Sequence, residues 1–181
     1  MKNLFRYLLV VCLLIAGRAE AEPDAMDVLN KDPKKMIELI GEPAARYFDS
    51  TGEYWLYTSC SRTTDNRRLY PEFRISKGKS TQINWLPEDV MKKSVQVAKG
   101  FAGWKPPAEI KQKTYTMADS AVMGANKSFV LAKLGSPDFK RVFNGIEVWE
   151  YKKVPLNKTD AQLLTVFLEF DGDRVSKSMG N

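Results

Sequence analysis

The amino-acid sequence predicts an α+β protein built from two tandem repeats, each with two short helices packed on a four-stranded antiparallel sheet. Three observations predict it. Gly41, Pro43, Trp55 and Tyr57 recur without a gap as Gly135, Pro137, Trp149 and Tyr151, 94 positions later. The 181 residues hold only four tryptophans, so two in register beside a matched Gly-x-Pro mark an internal duplication. In each copy the Gly-x-Pro is a helix stop ahead of an aromatic strand. Finally, Leu164, Val166, Leu168 and Phe170 alternate with Thr165, Phe167 and Glu169, the period of a half-buried strand.

The elements follow in order. Pro23 to Asn30 carries Met26 and Leu29 at helical spacing, a first short helix. Asp32 is an N-cap, with Pro33 at the first position of a second helix that ends at Gly41. Arg46 to Phe48 is a strand, Asp49 to Gly52 a turn and Glu53 to Ser59 an aromatic strand. On it Trp55 and Tyr57 share one face, and Tyr54 and Leu56 the other. Ser59 to Arg68 is a polar loop, and Leu69 to Ser76 and Ser80 to Trp85 are strands around Lys77-Gly78-Lys79. Pro71 favours an edge or a bulge in the third strand.

The second copy repeats this syntax. Ala118 to Met123 takes the place of the first helix, and Asn126 caps a second over Lys127 to Leu134. Phe139 to Phe143 and Glu147 to Val154 form a hairpin about Asn144-Gly145, a pair that tolerates the positive φ of a tight turn. After the loop Pro155 to Gln162 come the alternating strand and Arg174 to Ser178. The domain plan is therefore a first repeat over 22–85, a connecting helix and Pro/Gly linker over 86–112, and a second repeat over 113–181. In the connecting segment, Pro87 to Phe101 places Val90, Met91, Ser94, Val95 and Ala98 on one side and Lys92, Lys93 and Lys99 on the other. A helix packed on one repeat with a solvated lysine face is the reading kept; docking to a partner or a membrane surface is its alternative.

The start of the chain reads as a signal peptide over 1–21. Lys2 and Arg6 precede an apolar run, Tyr7 to Ala16, too short to span a bilayer, and Ala19-Glu20-Ala21 offers small residues for cleavage. Val11 before Cys12 does not fit a lipid-attachment site. The expected localisation is exported, periplasmic or secreted after cleavage near Ala21. Formal net charge is +6 over the whole chain. With no run of like charges it argues for solubility and not for nucleic-acid binding. Past the signal segment Cys60 stands alone, so an internal disulfide is not expected. Histidine is absent, which excludes His-based triads, His acid/base chemistry and His-ligated metals.

Gly124-Ala125-Asn126-Lys127-Ser128-Phe129-Val130, Leu134-Gly135-Ser136-Pro137, Trp149-Glu150-Tyr151 and Phe170-Asp171-Gly172-Asp173-Arg174-Val175 make the second copy resemble the SmpA/OmlA (BamE-like) domain family. The pattern covers about sixty residues, with a weaker echo in the first copy. It departs from the family in Ala125-Asn126, which replaces Met-Thr, and in the missing lipid-attachment motif. In architecture the tandem arrangement is similar to the β-lactamase inhibitory proteins (a BLIP-like fold). Both resemblances imply two helices on one face of a four-stranded sheet, and binding rather than catalysis.

The matched Gly41, Pro43, Trp55, Tyr57, Gly135, Pro137, Trp149 and Tyr151 are read as the structural repeat motif, because two cores need the same residues while two interfaces rarely do. The alternate strand face differs between copies, so Tyr54, Leu56, Val148 and Glu150 are the expected protein-binding residues. The loops Ser59 to Arg68 and Pro155 to Gln162 join them. Asp171 and Asp173 about Gly172 lack the other positions of a calcium loop. No catalytic, cofactor-binding or metal residues are expected, no cofactor, and no enzyme activity. The functional expectation is an exported, non-catalytic protein-binding module of the bacterial cell envelope, linked to outer-membrane protein assembly or envelope integrity, with a protein partner. The alternative is a secreted proteinaceous enzyme inhibitor.

Overall fold

A computed structural model describes residues 24–159 and 161–181. The signal-peptide expectation lies outside the described residues. The chain is α+β, with three α-helices and one large antiparallel sheet. After a short 3-10 helix, Ala25–Val28, come α1 (Pro33–Ile40), β1 (Ala45–Asp49), β2 (Gly52–Leu56), β3 (Arg62–Thr64), β4 (Arg67–Ser76) and β5 (Lys79–Pro87). Then follow α2 (Glu88–Lys99), α3 (Lys127–Leu134), β6 (Phe139–Phe143), β7 (Ile146–Pro155), β8 (Leu163–Asp171) and β9 (Arg174–Gly180).

Helix ends form where the sequence places them. The Asp32 carboxylate accepts from the Lys35 N–H at 3.0 Å, and the Asn126 side-chain carbonyl from the Phe129 N–H at 2.8 Å. These caps satisfy donors that the first helical turn leaves without partners. Gly41 and Gly135 stop the two helices at φ 81° and 76°, a region that costs a residue with a Cβ. Ala118 to Met123 departs from expectation: it is a set of turns and not a helix. Thr116 and Asp119 bond each other's backbone N–H groups there, which closes a single turn.

The sheet is also larger than expected. In place of two four-stranded sheets there is one, running β5-β4-β2-β1-β6-β7-β8-β9 from edge to edge. β1 and β6 join the halves antiparallel through the pair Phe48↔Lys140. The expected polar loop Ser59 to Arg68 contains β3, which turns at Asp65 and Asn66, both at positive φ, to pair with β4. β4 is no edge strand despite Pro71. β3 pairs with Arg67 to Leu69 and β2 with Glu72 to Ile75, so Pro71 sits where one neighbour gives way to the next and its missing N–H is tolerated.

Three cores result. Trp55, Tyr57, Phe73 and Ile75 pack under the 3-10 helix and α1 with Val28, Met36 and Ile40. Trp149, Tyr151, Leu168 and Phe170 pack under α3 with Val122, Val130 and Leu134. The third core belongs to α2, whose Met91, Val95 and Ala98 meet Ala45, Tyr47, Leu56 and Val142 together with Phe101. The connecting helix therefore packs on strands of both halves and not on one. Gly145 is fixed by it: the turn requires φ 78°, and a Cβ there would stand 2.6 Å from the Cβ of Lys93.

Candidate protein-interaction surfaces

Tyr54, Leu56, Val148 and Glu150 lie on the sheet face that α2 occupies. Leu56 is fully buried against that helix, and Val148 and Glu150 are buried as well. Tyr54 is half-buried, its ring stacked on Tyr47 at 4.8 Å. The expectation of a partner surface is corrected at Leu56, Val148 and Glu150, whose side chains are buried within the chain; of the four, Tyr54 stays part-exposed. Beside it lies a polar cluster. The buried Glu72 carboxylate accepts from the Tyr47 hydroxyl at 3.0 Å and from the Asn84 amide at 2.8 Å. Burial pushes the Glu72 carboxyl up, and these two bonds partly offset the shift. Burial likewise raises Glu150, against the pull of Arg141, whose Nε stands 3.0 Å from Glu150 Oε1. That Nε makes no hydrogen bond, so the contact is an ion pair with poor alignment.

The aromatic residues of the repeat motif are buried in the two helix-covered cores: Trp55, Tyr57, Trp149 and Tyr151 are at most 3% exposed, while the helix stops Gly41 and Gly135 lie at the surface. Tyr151 donates its hydroxyl to the Gly135 carbonyl at 3.2 Å, tying strand to helix stop. The structure also extends the motif beyond what the sequence reading noticed. Trp55 Nε1 donates to Glu53 at 2.7 Å, and Trp149 Nε1 to Glu147 at 2.6 Å. The Arg46 guanidinium lies 4.2 Å from the Trp55 ring centroid, and the Lys140 ammonium 4.8 Å from that of Trp149. Glu53 and Glu147, like Arg46 and Lys140, are again 94 positions apart. The signal was in the sequence, but a chemical class match (Arg with Lys) is quieter than an identical tryptophan.

Several concave surfaces lie among the described residues, and two of them bear on binding. The first, of about 550 Å³, lies at the N-terminal end of α3, between Met123 and Phe129, with Lys133 and Arg174 on its rim. Met123 is 59% and Phe129 53% exposed. The position in α1 that matches Phe129 is Lys35, ion-paired to Glu38 at 3.0 Å. At this position α3 is apolar where α1 is charged; in the next turn the order reverses, with Lys133 matching the exposed Leu39.

The second surface, of about 340 Å³, lies between β1 and the C-terminal end of α2 with the segment after it, lined by Arg46, Phe48, Glu53, Lys99, Phe101, Trp104 and Lys105. Phe48 and Trp104 meet edge to face at 6.3 Å. Lys140 reaches in beside it, with Nζ 5.5 Å from the Phe101 ring centroid and 5.6 Å from that of Trp104. Burial pulls the Lys140 amine below its usual range. Cys60, expected in an open loop, is buried in the first core instead.

No family model and no curated protein matches the chain. Among solved structures it is similar to a Streptococcus mutans protein described as "putative beta-lactamase inhibitor protein", at 11% identity and a TM-score of 0.32, over 83% of this chain and 82% of that one. A likeness at that level carries no inference about function.

Proposed function

We propose that the chain is an exported, non-catalytic protein-binding module of the bacterial cell envelope, made of two copies of a BamE-like unit fused into one sheet. The observation that carries the binding role is the outer side of α3. Met123 and Phe129 stand exposed across one groove, and large apolar side chains gathered in the open at one end of a helix have their natural place under a partner. The duplication supplies the contrast, because Lys35 holds the matching place on α1. The groove suits an apolar side chain of a partner protein, with Lys133 and Arg174 placed for acidic neighbours of that anchor. The envelope assignment draws on the signal-peptide pattern and the SmpA/OmlA-like motifs of the second copy.

The test places a photo-reactive amino acid at Phe129, and at Lys35 as a control, in the full chain expressed in a bacterial envelope. Cross-links to one protein from Phe129 that vanish in a Met123→Ser background support the module. Equal cross-linking from Lys35, or none from Phe129 in a folded chain, overturns it.

A second reading, a secreted inhibitor of an exported hydrolase, is favoured by one observation. β1 and β6 merge the halves, so the two copies present one continuous sheet. Stoichiometric loss of a purified hydrolase's activity on adding the mature chain would favour it over the envelope module.

A further inference from the structure

Arg46 and Lys140 do the same job in the two halves, each lying over the core tryptophan of its own half. Their charges are balanced differently. Arg46 is ion-paired to Glu42 at 2.8 Å. The residue matching Glu42, 94 positions on, is Ser136. Among the described residues no carboxylate is in contact with the Lys140 ammonium; Glu147 acts on it from a distance while bonded to Lys127 and Trp149, and the rings of Phe101, Trp104 and Trp149 surround the ammonium. A half-desolvated cation with no carboxylate in contact is unfavourable, and an incoming carboxylate relieves that cost. The groove beside it adds Arg46, Lys99 and Lys105 against one carboxylate, Glu53, which already holds Trp55. Phe48 and Trp104 form its apolar walls and are only part-buried.

We propose that this groove at the junction of the halves is a docking site for an acidic segment of a partner protein, with a carboxylate of that segment on Lys140 and an apolar neighbour between Phe48 and Trp104. The occupant is chosen by charge complementarity: the site is cationic, aromatic-walled and lacks the one acid its sister half has. Aromatic and arginine side chains around a charge pair are what interface hot spots are made of. The site does not depend on the α3 groove, which lies in the second half alone.

The test uses the mature full chain and two soluble pools of fluorescein-labelled random peptides. One draws on Glu, Asp, Phe, Tyr, Ser and Gly, and the other replaces the acids by Gln and Asn. The acidic pool should be retained and the neutral pool should not. Lys140→Met and Trp104→Ala should each weaken retention by about tenfold. Ser136→Glu is the decisive variant. It supplies Lys140 with the acid that Glu42 gives Arg46, so it should abolish retention while the chain melts no lower than wild type. Thr81→Glu, the same charge change on β5, should leave retention unaltered. Equal retention of both pools, no retention of either, or full retention by Ser136→Glu would overturn the proposal. So would binding to phosphatidylglycerol vesicles with none to the acidic pool, which would indicate a membrane surface.

Discussion

Arg141 and Glu150 show what a single buried charge does to this sheet. Glu150 is buried, and its ion-pair partner is the Arg141 side chain, 28% exposed at 3.0 Å, with Lys152 acting from farther off. Arg141→Met should destabilise the fold by about 3 kcal/mol, the low end for breaking a buried pair, because the arginine is not fully desolvated. Adding Glu150→Gln should recover much of that loss, which urea unfolding of the single and double variants would read. Glu72 gives a pH signature. Its carboxyl is raised by burial above the ordinary 4.5. The folded chain therefore binds more protons than the unfolded one as pH rises from that value, and stability falls over that window until the folded carboxyl has titrated. Relative to wild type, Glu72→Gln should gain stability as pH is raised from about 4.5 and none below it, measured as thermal midpoints across the range. A constant difference at all pH values would mean that Glu72 is not the source.

At the scale of the element, the two capped helices separate stability from binding. Phe129 is the third residue of α3, where its N–H is bonded to Asn126 and an acid is favourable to the helix N-terminus. Phe129→Glu should leave stability unchanged or raise it by about 0.3–0.5 kcal/mol, while the partner cross-link of the α3 groove is lost. Asn126→Ala should do the opposite, costing about 1 kcal/mol and leaving the groove's apolar walls in place. A melting curve and a cross-linking yield on the same samples check both. These helices were legible because caps, Gly stops and Pro positions are written within a few residues of one another: Asp32-Pro33 with Gly41, and Asn126 with Gly135. Ala118 to Met123 was misread because a similar apolar spacing fits one closed turn, and only the Thr116–Asp119 exchange of bonds settles it as one. The β3 hairpin was missed because its turn, Asp65-Asn66, lacks the glycine that usually marks positive φ.

At the scale of the whole molecule, the sequence patterns are local, and the single sheet is not legible in them. The tryptophan register and the period-two strands are short-range patterns. Nothing near Phe48 or Lys140 announces that β1 and β6 pair. The stripe Val90, Met91, Ser94, Val95 and Ala98 shows that α2 buries a side, and it does not say against what. Hence the alternate face of the aromatic strands looked open, and Leu56, Val148 and Glu150 looked like contacts, although all three are buried within the chain. That union has a mechanical consequence. With one sheet crossing the boundary and Met91 bridging Ala45 and Tyr47 of the first half to Val142 of the second, the halves should unfold together. Fluorotryptophan NMR reports Trp55 and Trp149 separately. Both folded signals should vanish over one urea range. Phe73→Ala, a buried change confined to the first core and worth about 3–5 kcal/mol, should lower the midpoint of the Trp149 signal as far as that of Trp55. Should Trp149 keep its wild-type midpoint while Trp55 shifts, the halves are independent domains that merely touch, and the junction groove loses the rigid walls its binding role requires.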